Sequence, residues 1–270
     1  MFANYRTVFL PIFVSHIIKN KKMNLSGNTI LITGGTSGIG LAFAEEFLKA
    51  GSKVIITGRR VDRLEAIKSR LPQIITKVSD VADAAQRIEL AEWISKNHPD
   101  TNILVNNAGV QLITDFNRGI DLERIGSEIE TNLTAPIHLT SLFVPHLKGK
   151  KDAAIINVTS GLAFVPIAMM AVYCATKAAM HSITLSLRYQ LKETGIAVYE
   201  IIPPSVDTEL GHDRRDDKAQ SHGGIPIAEF IEGAMAALKN DEYEAAIGMS
   251  TGLRAKREEV FEQLNSRFAG

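Results

Sequence analysis

The sequence predicts an α/β fold: one domain with a doubly wound parallel sheet of about seven strands and helices on both faces. Three observations carry this prediction. Apolar runs alternate with helical stretches along the whole chain. The runs are apolar throughout rather than at every second residue, as strands buried on both faces require. A glycine turn joins the first run to the first helix, the place where α/β sheets receive phosphates.

The first run, residues 29–33 (TILIT), ends at Thr33-Gly34-Gly35-Thr36-Ser37-Gly38-Ile39-Gly40, and residues 41–50 follow as helix. Residues 53–57 (KVIIT) form a second run, followed by a charged helical stretch over 60–70. Residues 74–78, 103–105, 153–158 and 197–202 repeat the strand pattern, with helices at about 82–95, 122–147 and 172–193 between them. Residues 245–248 add a last edge strand, and a helical pattern over 253–268 caps it. Strand–helix alternation of this regularity implies right-handed crossovers. No linker divides the chain, so the expected domain spans residues 23–270.

At 270 residues and 45% hydrophobic, the chain can bury a full core. Thirty basic and thirty acidic residues cancel, which argues against nucleic acid or an anionic membrane as partner. One cysteine, Cys174, excludes an internal disulfide framework and a CxxC metal pair. No metal is therefore expected, and a reducing cytoplasm suits such usage. Residues 7–18 (TVFLPIFVSHII) are an apolar run flanked by Arg6, Lys19, Lys21 and Lys22. At 12 residues with Pro11 inside, the run falls short of the ~20 needed to span a bilayer. No small-residue cleavage site follows it. Residues 1–22 are expected to be an extension or the product of an upstream start, in preference to a signal anchor or surface-lying segment.

A glycine turn between strand and helix lets the backbone approach a pyrophosphate, whose charge the helix N-terminus stabilises. The spacing here is Gly34-x3-Gly38-x-Gly40. NAD enzymes place an acid at the end of the second strand for the ribose hydroxyls, whereas NADP enzymes place an arginine near the 2′-phosphate. This chain has Thr57-Gly58-Arg59-Arg60 and no acid before Asp62. Arg59 is the first 2′-phosphate ligand to expect and Arg60 the second, so NADP(H) is favoured over NAD(H).

Ser160 lies thirteen residues before Tyr173, and Lys177 four after it. With the glycine turn, Asp80-Val81, Asn106-Asn107-Ala108-Gly109 and Asn132, these residues resemble the short-chain dehydrogenase/reductase family in its compact single-domain form. The resemblance covers about residues 25–248 and implies a Rossmann-type sheet. It implies that Asp80 and Val81 contact adenine, that Asn107, Ala108 and Gly109 close the fourth strand beside the cofactor, and that Asn132 holds a proton-relaying water. Pro203, Val206 and Thr208 match the segment that binds the nicotinamide carboxamide. The family's usual Pro-Gly is Pro203-Pro204 here, which stiffens that turn and removes a donor. The wording Ile201-Ile202-Pro203-Pro204-Ser205-Val206-Asp207-Thr208 resembles a bacterial subgroup related to oxidoreductases named DltE. Assembly as a homodimer or homotetramer is also implied, through helices matching 122–147 and 172–193.

The chemistry can be argued from the residues themselves. Reduction of a carbonyl delivers hydride to carbon and leaves an alkoxide that needs a proton. A phenol, with reference pKa near 10, serves at neutral pH only if its anion is stabilised. Tyr173 and Lys177 share one helix face, so the ammonium can favour the phenolate. Ser160, at a strand end, would orient the substrate oxygen. Thr159 points the other way along the strand, and Cys174 is a small packing residue. The Tyr-x3-Lys spacing argues against enoyl reductases, whose gap is longer.

The expected function is NADP(H)-dependent interconversion of a small carbonyl compound and an alcohol. The rival is a non-catalytic NADP(H)-binding sensor or interaction protein. Phe164, Val165 and Pro166, with Val110 and Leu112, are expected to line an apolar pocket, and residues 209–224 to form a lid whose His212, Arg214 and Arg215 could meet an anion.

Overall fold

The computed structural model describes residues 23–210 and 223–266. The expectations for residues 1–22, and for His212, Arg214 and Arg215, lie outside the described residues. Seven strands, β1 (Thr29–Ile32), β2 (Lys53–Gly58), β3 (Ile75–Val78), β4 (Ile103–Asn106), β5 (Ala154–Val158), β6 (Ala197–Ile202) and β7 (Glu244–Ala246), form one sheet. The order is β3-β2-β1-β4-β5-β6-β7, and every pairing is parallel. The winding reverses between β1 and β4, and beyond the carboxyl ends of strands at such a reversal lies the crevice where α/β sheets bind ligands.

Alternation along the strands sends neighbouring residues to opposite faces, and both faces are covered. Ile30, Ile32, Val54, Ile56, Ile103 and Val105 pack on one side with Phe43 and Phe47 of α1 (Gly38–Lys49) and Phe230 of α7 (Ile227–Lys239). Leu31, Ile55, Leu104 and Ile155 pack on the other with Leu90 and Ile94 of α3 (Ala84–Asn97) and Leu139 and Phe143 of α5 (Ala135–Leu147). Burying each such side chain stabilises the fold by roughly 1.5–3 kcal/mol, which is why uninterrupted apolar runs became strands here. Asp83 caps α3 by accepting from Ala85 N and Gln86 N. Asp121 does the same for α4 (Leu122–Ile129), accepting from Glu123 N and Arg124 N.

Three departures from the sequence-based expectation have physical causes. The helix expected over 122–147 is α4, then a π-helical turn at Glu130–Thr134, then α5. Pro136 has no N–H to return to the Asn132 carbonyl in α-helical register, and the helix widens just before it. Helix α7 was not anticipated; it closes the sheet face against α1, where Phe230 meets Phe43 edge-on at 6.4 Å. The C-terminal helical stretch divides into α8 (Met249–Lys256), a 3-10 turn (Arg257–Val260) and α9 (Phe261–Asn265). The remaining α-helices among the described residues are α2 (Val61–Arg70) and α6 (Ala171–Gln190). Met23 is already buried in the core, and its backbone N–H donates to Asp241 Oδ1 at 2.8 Å.

Candidate active site

The glycine turn connects β1 to α1 at the carboxyl end of the sheet, beside β4. Gly34 has φ +65°, and a Cβ there would stand 2.8 Å from the Ala108 Cα. At Gly40 a Cβ would strike the Asn107 amide and the Gly34 carbonyl. Gly38, φ +56°, faces the Thr208 side chain, and Thr36 packs on Gly58. Small residues are thus required where β1, β2 and β4 converge, and the result is a cradle that bare backbone lines. Gly34→Ala should destabilise the protein by about 2 kcal/mol or more, since left-handed backbone and backbone contact are both unfavourable. A thermal melt would show this as a Tm lower by about 5 °C or more.

The structure gives the Asn107 side chain a supporting place. Its amide donates to Thr33 O at 2.9 Å and Gly34 O at 3.2 Å, while its backbone N–H and that of Ala108 donate to Thr33 Oγ1. Asn107 therefore braces the glycine turn from β4. Asn106 is buried, donating to Asn157 Oδ1 at 2.9 Å. Ile39 packs against the core at the start of α1.

The two arginines expected at a 2′-phosphate, Arg59 and Arg60, are exposed. Arg59 Nη1 lies 3.7 Å from Asp80 Oδ2. Arg60 donates to Ser37 Oγ at 3.4 Å, which places its guanidinium over the glycine turn. Arg60 and Arg63 also hold Glu209, at 3.4 and 2.9 Å. Partial burial pulls the Glu209 pKa upward, but the Arg63 and Arg60 contacts outweigh it and hold the carboxyl below its usual range. Asp80 accepts from Ala82 N through Oδ1, and Val81 is buried against the core.

The four residues expected to be catalytic lie at the end of β5, on α6 and on the π-helical turn. Ser160 follows β5, where its Oγ accepts from Leu162 N at 3.1 Å, so its own hydroxyl proton remains available to a substrate oxygen. Tyr173 and Lys177 lie one turn apart on α6, both buried, with Lys177 Nζ 5.6 Å from the Tyr173 ring centre. Lys177 Nζ donates to Val158 O at 3.0 Å, two residues before Ser160. Burial lowers the Lys177 pKa to about 8, against the opposing charges of Glu128 and Glu200.

Asn132 sits on the π-helical turn rather than in regular helix. Its side chain exchanges hydrogen bonds with the Val110 backbone, N–H to Oδ1 and Nδ2 to O, both 2.8 Å. A point at the Gly109 Cβ position lies 3.3 Å from Asn132 Oδ1 and 3.8 Å from Lys177 Nζ, so Gly109 is where these two side chains approach each other.

Pro203 O accepts from Gly161 N at 2.9 Å, tying β6 to the Ser160 turn. Val206 is buried and forms a parallel bridge with Ile225. Two pocket expectations are corrected: Phe164 and Val165 are buried with Ile202 beneath Leu253, Phe261 and Leu264 of the C-terminal helices, so they belong to the core. The Phe164 ring meets His181 edge-on at 4.7 Å. Thr159 turns away from Ser160 and donates to Glu200 Oε1 at 2.7 Å. Cys174 is buried, and burial pushes its thiol up to about 11.

Sequence reasoning missed two acids and a histidine near this site. Glu128 and Glu200 are wholly buried, and His181 lies 2.9 Å from Glu200. The signal for Glu200 was present, since it is the only charged residue in β6, AVYEII, an otherwise apolar strand apart from Tyr199. His181, Glu200 and Glu244 gather ligand-type atoms within 4.8 Å of one another, but Glu244 is paired with Arg254 and Glu200 with Thr159.

The sequence model of the short chain dehydrogenase family matches residues 28–219. The oxidoreductase DltE of Bacillus subtilis (strain 168) is 46% identical over 250 residues, 91% of this chain and 99% of its own. A short chain dehydrogenase from Burkholderia cenocepacia J2315 in complex with NADP superposes with a TM-score of 0.77 at 26% identity, covering 92% of this chain and 100% of that one. A short-chain dehydrogenase from Sphingobium yanoikuyae in complex with NADPH superposes with a TM-score of 0.72 at 27% identity, covering 81% and 86% of the two chains.

Proposed function

The chain belongs to the short chain dehydrogenase family of oxidoreductases, beside the DltE-like members, and from that premise we propose that it interconverts a carbonyl compound and an alcohol with NADP(H). What supports the reading is Tyr173 and Lys177 on one turn of α6, with Lys177 bonded to the strand end that leads into Ser160 and approaching Asn132 at Gly109, beside the glycine cradle where only small residues fit. That cradle fits a pyrophosphate, and the arginines after β2 fit a 2′-phosphate.

When bound, the nicotinamide supplies or accepts the hydride. Gly34, Thr36, Ser37, Gly38, Ile39 and Gly40 form the pyrophosphate turn. Arg59 and Arg60 take the 2′-phosphate, Asp80 and Val81 the adenine, and Ala108 and Gly109 flank the cofactor, with Asn107 bracing the turn. Pro203, Val206 and Thr208 shape the nicotinamide end. In reduction, Ser160 donates its hydroxyl to the substrate oxygen and Tyr173 gives that oxygen the phenolic proton. Lys177 keeps one N–H on Val158 O and has two more donors for the ribose hydroxyls and for proton supply. Asn132 positions the water through which Lys177 is reprotonated. In oxidation Tyr173 acts as the base.

The domain is assigned to residues 23–270, with 1–22 as an extension, and residence to the cytoplasm. Among the described residues no helix is long and apolar enough to cross a membrane. Assembly is assigned as a homodimer or homotetramer. Outward-facing Ile137 on α5, with Leu185 and Tyr189 on α6, is apolar surface that a second copy would cover. Light scattering after size exclusion should give at least twice 29.5 kDa, and a monomer mass would contradict the assignment. The reaction itself is tested by carbonyl-dependent oxidation of NADPH.

A further inference from the structure

Ser160 and Tyr173 are joined by a short segment that leaves the end of β5 and enters α6 at Ala171. Its outer stretch is Pro166, Ile167, Ala168 and Met169, with no polar side chain, and Ala168 and Met169 are exposed. Such a stretch has only its backbone groups with which to be held in one place by hydrogen bonds.

Those bonds come from three directions. Asn265, the last residue of α9, bridges the stretch with its amide: Oδ1 accepts from Ala168 N at 2.7 Å, and Nδ2 donates to Pro166 O at 3.0 Å. Nδ2 also donates to Phe261 O at 3.0 Å, one turn back in α9, which fixes the orientation of the amide. Between these two contacts, Ile167 is held by Cys174, the neighbour of Tyr173. Its Sγ accepts from Ile167 N at 3.4 Å, and the thiol reaches back to Ile167 O at 3.8 Å. Met169 O accepts from Thr114 N at 2.9 Å, in the loop after β4 that also carries Leu112. Helix α9 is itself seated by Phe261 and Leu264 on the buried Phe164 and Val165. Asparagine is a poor helix former, so these bonds, not helix stability, account for it at the end of α9.

We propose, building on the roles given above to Ser160 and Tyr173, that Asn265 is a positioning residue for the reaction. It fixes residues 166–169 as the outer wall of the substrate pocket, so the C-terminal helix sets how firmly a carbonyl compound is held against Ser160. The stretch leaves one of these two residues and returns to the other, and therefore borders the oxygen they bind. Tyr173 sits within α6, and Lys177 is anchored on Val158 O, so neither depends on Asn265 for its place. Asn265 thus acts on substrate binding and not on proton transfer.

The test joins amide hydrogen exchange with kinetics on the full chain. In Asn265→Ala, exchange over residues 166–170 should quicken about tenfold or more, because Ala168 N loses its acceptor, while the glycine turn is unchanged. KM for a carbonyl compound should rise about tenfold, the loss of two ordinary hydrogen bonds, with kcat within about threefold and NADPH affinity unaltered. Asn265→Asp keeps an acceptor for Ala168 N but has no donor for Pro166 O, so its exchange and KM should fall between wild type and Asn265→Ala. Gln263→Ala, at an exposed position on the same helix, should match wild type in both readouts. Unchanged exchange over 166–170 in Asn265→Ala would overturn the proposal. Faster exchange with KM unmoved, or with kcat lost at constant KM, would also overturn it and leave Asn265 a brace for the fold alone. The exchange measurement needs no substrate, so its outcome stands apart from whether the proposed reaction is found.

Discussion

Tyr173→Phe should lower kcat for carbonyl reduction by about 10³-fold while leaving NADPH binding within a few-fold of wild type. The substitution removes one oxygen and keeps the ring, which is buried with Lys177 Nζ 5.6 Å from its centre. Proton delivery to the alkoxide then falls to water, and general acid catalysis by a placed group is worth roughly 10²–10⁴-fold. The check pairs steady-state kinetics with NADPH fluorescence titration. Unimpaired turnover in Tyr173→Phe would remove the tyrosine from the mechanism, and lost cofactor binding would make its role structural.

The second large effect concerns cofactor choice. Replacing Arg59 and Arg60 together by Ala should weaken NADPH binding by about 100-fold and leave NADH binding nearly unchanged. A charge-assisted hydrogen bond contributes roughly 1.5–3 kcal/mol. Both guanidinium groups are substantially exposed, so the low end applies, about tenfold for each arginine. Arg60 already spans from the Ser37 hydroxyl to Glu209, so the phosphate would compete with that carboxylate. Arg59→Asp should improve use of NADH, because an acid there can take the ribose hydroxyls. Equal losses for both cofactors would mean that the arginines act on something other than the 2′-phosphate.

Most of the fold could be read from the chain because its central strands are buried on both faces and therefore mostly apolar. Ile30, Leu31 and Ile32 show it, falling alternately into the two cores. The site was legible where chemistry constrains spacing: a phenol and an ammonium one helical turn apart, and a hydroxyl at a strand end. Geometry that depends on distant packing was not. Pro136 was visible, but its consequence, the π-helical turn that carries Asn132, follows from the proline and the packing of two helices together. Phe164 and Val165 resembled pocket lining because they follow Ser160, yet the C-terminal helices cover them. Glu128 drew no reading from the sequence, since nothing local reveals that α4 buries it where it packs against α6. Asn107 shows a further limit: its position beside the cofactor turn was predictable, but the turn uses its amide as a brace.

The most direct measurement is NADPH oxidation by the purified full chain over a panel of ketones, aldehydes and diketones, with NADH run in parallel. The account predicts carbonyl-dependent consumption, faster with NADPH than with NADH, with an alcohol formed in equal amount. Tight NADPH binding without turnover on any member of the panel would contradict it and favour a non-catalytic NADP(H)-binding protein on the same fold.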